Sequence, residues 1–478
     1  MRLGPILCFR GATDSRWRVS VLIVGDGAPP VLSVDAGSAS TPVVLGTVDG
    51  STAWRWDLDL PRTGSRSYTV EGKTYALAVP AAGEPLRQAY VSCNGFSSKK
   101  LADTTKDPFG RWREINVQHA AKPFHLLLMG GDQVYADQVF DLAQLGGWSD
   151  RTRKDKVRLP WTDARRTAAE RFYHKLYLGR WLQPEMATAF ATVPSLMMWD
   201  DHDIFDGWGS YDPELQACPV YQGVFAAARD AFRLFQQQCA PGERVPGAMS
   251  PDDFAFCYEV DGLSLWAPDL RSKRTQDQVA TAVSWNACLA RLDQVRGAKH
   301  LLVLSSIPVV YPNFKAVEAV LGWMPGEQEL EDDLRDHWRT ASHQGERLRL
   351  IHRLLAFAKA RGTRVTILSG DVHVGACGVI ESTRSAEESV INQLVSTGVV
   401  HPPPQALVAF LLDKLLAGYV DEVDRGITAR MLPFPGTTRK LRPARNWLSL
   451  SADDQQRLWA EWWFEGDRAS TVKVIHPA

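Results

Sequence analysis

Residues 126–137 read Leu-Leu-Leu-Met-Gly-Gly-Asp-Gln-Val-Tyr-Ala-Asp, an unbroken apolar run that stops at two glycines and an aspartate. A short run that is apolar at every position, rather than at alternate ones, predicts a strand covered on both faces. A glycine there lets the chain turn tightly, so that Asp132 is carried over the strand's end. Three more stretches have this form. Gln88–Cys93 leads into Asn94-Gly95, Ser195–Trp199 into Asp200-Asp201-His202-Asp203, and Arg364–Leu368 into Ser369-Gly370-Asp371-Val372-His373. Leu263–Ala267 and His300–Ser305 read as two further buried strands, and Arg165–Arg180, Tyr221–Cys239 and Glu346–Arg361 carry helical patterns. Strands alternating with helices predict an α/β fold. Such sheets bind ligands beyond the carboxyl ends of their strands, which is where all four polar clusters stand.

Outside this region the pattern changes. Residues 1–85 contain alternating runs, such as Trp17–Val24 and Ser67–Pro80, separated by Gly25-Asp26-Gly27, Asp49-Gly50 and Glu71-Gly72. Short strands with frequent turns predict a small N-terminal β-sandwich domain over 1–85, with the α/β domain occupying 86–478. Segments 143–163 and 241–252 read as loops, 425–445 as irregular, and Pro402–Tyr419 as a packed helix or lid. The tryptophan-rich tail, Trp459 to Trp463, reads as core packing.

The clusters share a chemistry. Asp and His are common ligands of catalytic metal ions, and tyrosine phenolate is a ligand of iron. Asp132 and Tyr135 are spaced so that one turn points both the same way. Three carboxylates and an imidazole in the four residues Asp200–Asp203 are too much charge to bury without a cation. Taken singly, each cluster has a plainer explanation: a turn, a helix cap, an inert core thiol at Cys93, a satisfied histidine. Taken together at four strand ends, they point to a metal centre.

The order Ser-Cys-Asn, Gly-Asp-Gln-Val-Tyr-Ala-Asp, Trp-Asp-Asp-His-Asp and Ser-Gly-Asp-Val-His resembles the alkaline phosphatase D (PhoD-like) family of metallophosphoesterases over roughly residues 86–400. Asp269-Leu270-Arg271-Ser272-Lys273-Arg274 resembles that family's Asp-x-Arg-x-x-Arg segment, and Asp336-His337-Trp338 with Arg347 its Asp-x-Trp segment. The resemblance implies a four-layer α/β/β/α core with a dinuclear or trinuclear centre, iron(III) with calcium, manganese and zinc being the alternatives. It implies Cys93 and Tyr135 as ligands of iron, Asp132 as the bridge, Asp201 on the second metal, and Asp371 and His373 each on one metal. The superfamily's lone strand-end histidine has no counterpart near Leu304–Pro308.

The implied reaction is hydrolysis of phosphomonoesters, phosphodiesters or both, by attack of a metal-bound hydroxide formed between two ions about 3.5 Å apart. His202 would protonate the leaving oxygen, oriented by Asp203 or Asp200. Asn94 would engage a phosphoryl oxygen, and Arg271 and Arg274 would either do the same or be structural surface arginines. The rival reading is a metal-poor relative that serves as a binding or scaffold module. A Ser-His-Asp hydrolase fits less well, since no Gly-x-Ser-x-Gly elbow is present.

Composition narrows the partners. The 478 residues carry 54 Lys+Arg against 55 Asp+Glu, a net charge of −1, which gives no bulk attraction to nucleic acid or to anionic membrane. No apolar window is long enough for a membrane span. Seven cysteines without a Cys-x-x-Cys, and an N-terminus lacking signal-peptide or twin-arginine features, predict a cytoplasmic protein acting on a small phosphate ester. The sequence leaves oligomeric state open.

Overall fold

The computed structural model describes residues 1–311, 338, 343–384, 389–405, 409, 413–414 and 418–478. Fifteen of its strands matter here. They are β1 (Leu3–Ala12), β2 (Arg16–Gly25), β3 (Ser51–Pro61), β4 (Arg87–Val91), β5 (Leu126–Gly130), β6 (Ser195–Met198), β7 (Phe256–Val260), β8 (Leu263–Ala267), β9 (His300–Ser305), β10 (Arg364–Ser369), β11 (Gly375–Ser382), β12 (Ser389–Val395), β13 (Asn446–Ala452), β14 (Leu458–Phe464) and β15 (Thr471–Ile475). The fold is mixed α/β with two large sheets. One runs β15-β14-β13-β4-β5-β6-β1-β2-β3, and the other begins β7-β8-β9-β10-β12-β11. In each, the central strands β4, β5 and β6, or β8, β9, β10 and β12, are parallel.

Parallel strands need crossovers, and the helices provide them. The longer described helices are α1 (Gly110–Ala121), α2 (Asp163–Trp181), α3 (Pro184–Thr192), α4 (Pro219–Phe235), α5 (Ala282–Gln294) and α6 (Gln344–Arg361). Side chains on a strand alternate between faces, and the buried clusters follow that period. In β5, Leu127 and Met129 join the cluster formed with α1–α4, while Leu126 and Leu128 join the cluster shared by the two sheets. In β9, Leu301 and Val303 pack with α5 and α6, while Leu302 and Leu304 face the other sheet. This two-sided cover is why these strands are apolar throughout.

The N-terminal strands depart from the expected separate sandwich. β1 pairs in parallel with β6 and antiparallel with β2, and β2 pairs with β3, so the three extend the sheet that carries β4–β6. The reason lies in β1 itself. Leu3 and Ile6 are buried with the helices and Leu7 and Phe9 between the sheets, and such a strand needs cover on both faces. Leu32–Val34, Arg66–Val70 and Lys73–Leu77 form a three-stranded sheet of their own.

Other expectations also change. Residues 143–163 hold a short helix, Arg153–Arg158, capped by Thr152. Ile427–Leu432, within the segment read as irregular, is a strand paired with β11. Half of the expected Pro402–Tyr419 helix, and Asp336 and His337 of the Asp-x-Trp segment, lie outside the described residues. Trp462 is fully buried and donates to the Val395 carbonyl at 3.0 Å, which makes the tail core packing.

Candidate metal centre

The carboxyl ends of β4, β5, β6 and β10 meet at one place. β4 delivers Cys93 and β5 delivers Asp132, and their main chains continue to pair beyond the strands, Cys93 N–H donating to Gly131 O and Asn94 N–H to Asp132 O. Gly131 has φ +104°, a conformation closed to other residues at little cost. Gly370 serves differently, because a Cβ there would stand 2.5 Å from Ser92 Oγ. Four of the expected ligands themselves adopt left-handed backbone: Cys93 (φ 52°), Asp132 (53°), Asp371 (76°) and His373 (51°). Such positions cost roughly 1–3 kcal/mol each outside glycine and concentrate at functional sites. Here they aim four potential ligands into one small volume.

Two ligand groups share a carboxylate. Donor atoms of Cys93, Asp132 and His373 lie within 4.8 Å of one another, and so do those of Asp132, Asp200 and Asp371. Cys93 Sγ is 3.4 Å from Asp132 Oδ2, and Tyr135 Oη is 3.2 Å from His373 Nε2. A third group joins Asp201, His202 and Asp206. Asp201 was expected beside Asp132 on the second metal, but Asp200 takes that place, while Asp201 Oδ2 accepts from the Gly207 amide at 2.8 Å. Asp206 and Asp137 are site residues that sequence reasoning did not assign, and Asp200 was expected only as a partner of His202, although each stands inside or next to a quoted motif.

Electrostatics mark the region as short of positive charge. Asp132, Asp200, Asp201, Asp203 and Asp371 are all buried. Burial, reinforced by Asp200, Asp201 and Asp203 and opposed by His202, holds the Asp132 carboxyl well above its usual range. Burial and then Asp132 push the Cys93 thiol up in the same way. Burial, with His401 and His202 nearby, holds His373 well below the ordinary imidazole range. Asp132 Oδ1 is buried with no hydrogen-bond partner among the described residues. A thiol, a phenol, an imidazole and carboxylates around such an atom are a donor set that fits metal ions.

His202 is the exception among the imidazoles. Burial lowers its pKa, but Asp137 and Asp201 outweigh burial and hold it well above the ordinary value. Its Nδ1 lies 3.0 and 3.1 Å from the two Asp137 oxygens, so Asp137 orients the ring, not Asp203 or Asp200 as expected. Asp203 instead ties the loops together, accepting from the amides of Gln133, Val134 and Asp200 and from Gln236 Nε2. Asp200 is bound by Arg271 Nε and by Ser306 Oγ at 3.0 Å.

The other three expected phosphate contacts sit deeper than anticipated. Asn94 is fully buried, accepts from Trp112 Nε1 at 2.8 Å and donates to Gln133 O at 3.2 Å. Its amide is engaged in framework bonds, which corrects the reading that it holds a phosphoryl oxygen. Arg271 is fully buried on Asp200 and the Trp208 carbonyl, where it offsets carboxylate charge. Arg274 is buried with Nη2 3.3 Å from His343 Nδ1. His401 was not foreseen. Its ring stacks 3.7 Å from that of His373 and 5.5 Å from that of Tyr135, and no strand-end pattern marks it in the sequence.

Residues 84–325 and 323–429 match the family described as PhoD related phosphatase. An uncharacterized protein of Saccharomyces cerevisiae is 25% identical over 457 residues, covering 76% of this chain and 64% of that protein, so the chain spans under two thirds of the curated relative. Among solved structures, that of PhoD superposes with a TM-score of 0.59 at 12% identity over 98% of this chain and 88% of the other. A purple acid phosphatase from yellow lupin (Lupinus luteus) seeds gives 0.50 at 12% identity over 99% and 74%. At such identities the likeness is one of fold.

Proposed function

The chain belongs to the PhoD related phosphatase family, and from that premise we propose that it is a metal-dependent phosphoesterase acting on small phosphomonoesters, phosphodiesters or both. The observation that carries this reading is the position of Asp132, common to two ligand groups and holding a buried oxygen without a partner. Cys93, Tyr135 and His373 would hold one ion, a set suited to iron, and Asp200 and Asp371 the other, a set suited to calcium or manganese. Asp201, with His202 and Asp206, belongs to the next group along and would bound the site on the second metal's side. The three buried clusters support the four-layer α/β/β/α arrangement for this core.

When bound, a pair of ions supplies charge for the phosphate oxygens and acidifies a water. The chain's own part is proton transfer and orientation. With Nδ1 taken by Asp137, His202 has Nε2 left to give a proton to the departing ester oxygen. Arg271 holds Asp200 in place rather than touching substrate, and Asn94 keeps the Cys93 turn against α1. Arg274 could reach a non-bridging oxygen only by leaving His343, so it is assigned a positioning role.

Elemental analysis of protein purified without chelators or added metals tests the reading. Near-stoichiometric iron with a second metal, together with turnover of 4-nitrophenyl phosphate or its bis-ester, is expected. Tyr135→Phe should then abolish any tyrosinate-to-iron absorption in the visible. Less than one metal per chain after reconstitution with iron, calcium, manganese and zinc would favour the scaffold reading instead. Seven cysteines, all free and buried, support a cytoplasmic setting, and no described helix is long and apolar enough to cross a membrane.

A further inference from the structure

A cavity of about 250 Å³ opens between α4 and the segment that leads from α4 into β7. At the ~30 Å³ that one water occupies in the liquid, that is space for roughly eight waters or one small organic molecule. It is separate from the metal centre and contains none of the ligand residues. Its apolar wall includes Phe225, Val245 and Phe254. Behind that wall, Trp199 meets Phe254 edge-on at 5.1 Å, and Trp208 stacks on Phe225 at 4.5 Å, so the wall is stiff.

The charged groups around the cavity are unequally committed. Arg229 and Arg233 lie one helical turn apart on α4, and Lys273 also lines the cavity. The Lys273 ammonium makes no hydrogen bond or ion pair among the described residues. Arg233 donates to the Cys239 carbonyl at 3.1 Å, and the ion pairs of both arginines with Asp230 are long, at 3.4 and 3.9 Å. The acids that line the cavity are engaged in part, Asp253 Oδ2 being buried with no hydrogen-bond partner among the described residues. Glu243 is paired with Arg55 at 2.7 Å and accepts from the Ala240 amide, while Asp253 Oδ1 accepts from the Ala255 amide at 3.0 Å. Asp252 is the exposed acid at the rim.

We infer that this cavity is a second ligand site, and that it takes a small anion carrying an aromatic or branched hydrocarbon body. Phe225 and Phe254 would cover the body, and Arg233 and Lys273 would meet the charge. The site adjoins the metal centre through one residue. Asp269 accepts from the Phe254 amide at 2.9 Å and from the Arg271 amide at 2.9 Å, and Arg271 holds Asp200. The inference does not rest on the phosphoesterase reading.

The test is isothermal titration of the full chain with phenylacetate, the Asp132→Asn variant serving as the control for binding at the metal centre. A Kd on the order of 1 mM or tighter is expected for a ligand of this size. Phenethylamine, the same body with the opposite charge, should bind at least about tenfold more weakly. Arg233→Gln and Lys273→Gln should each weaken phenylacetate by at least about tenfold, whereas Asp132→Asn should leave it unchanged. Absence of binding, equal affinity for the two probes, or loss of binding in Asp132→Asn would overturn the inference. The comparison of the two probes needs no variant, so a misfolded variant does not remove the test.

Discussion

Replacing Asp137 by Asn isolates the one contact on which the role of His202 depends. Both Asp137 oxygens face His202 Nδ1, at 3.0 and 3.1 Å, and Oδ1 also accepts the Asp206 amide at 2.8 Å. Asn has nearly the same shape and retains one oxygen for the Asp206 amide, so the loop keeps its anchor. What is lost is the negative charge beside the imidazole. A hydrogen bond to a charged group is worth about 1.5–3 kcal/mol, which corresponds to a fall of ~10- to 150-fold in kcat. KM should change little, because Asp137 acts through His202 and not on substrate. The assay is initial-rate hydrolysis of 4-nitrophenyl phosphate and its bis-ester, with thermal unfolding as a control. Because the two residues act as a unit, Asp137→Asn placed on His202→Ala should cost almost nothing further. A loss below about threefold in the single variant, or full additivity in the double variant, would refute the assignment.

Three further outcomes follow from the geometry. Asp132→Asn should cost at least ~100-fold in turnover and lower the bound metal per chain, yet raise the unfolding temperature of the chelator-stripped protein. Its carboxylate is costly when buried among Asp200, Asp201 and Asp203 without a cation; a lower unfolding temperature would count against this. Gly370→Ala should destabilise by about 1–3 kcal/mol in denaturant titration and reduce metal content, since its Cβ would meet Ser92 Oγ at 2.5 Å. Burial lowers His125 to about 4, consistent with its Nδ1 accepting the Arg87 amide at 3.0 Å. The unfolded chain therefore takes up this proton first. Stability from this group is complete above pH ~6.5 and lost as pH falls toward ~4, by at most roughly 3 kcal/mol. Relative to His125→Asn, which keeps an acceptor but does not titrate, the native protein should lose stability over that window, and parallel pH profiles would contradict it.

Much of the parallel-stranded core was legible because its strands are apolar on both faces and end in glycine or acid. Leu263–Ala267 and His300–Ser305 form strands over the expected residues, and the expected helix Glu346–Arg361 lies within α6. The strand ends also marked most of the residues that the fold gathers into candidate ligand groups. What stayed hidden was pairing across long separations. β1 shows the two-sided apolar pattern of an interior strand, but alternation in its neighbours suggested a separate sandwich. That Asp137 and not Asp203 holds His202 depends on how two loops cross, Ala136 N–H donating to His202 O. His401 reaches the centre because Val400 and His401 hang from the Cys93 carbonyl, a contact that no local pattern encodes.

The placement of β13 bears on how the protein is made. β13 pairs antiparallel with β4, the strand that leads into Cys93, and Asn446 donates to the Thr397 carbonyl beside that cysteine. During synthesis β4 emerges early and can find β5 and β6, but its other edge stays bare until β13, more than 350 positions later, has left the ribosome. Contacts of such high order slow folding and prolong the life of a sticky intermediate. A chain truncated before Asn446 would expose the β4 edge to other chains and direct it toward aggregates. Completion of the candidate site would then wait on β13, since Asn446 anchors the Thr397 carbonyl and the Thr397 hydroxyl donates to Cys93 Sγ at 2.8 Å.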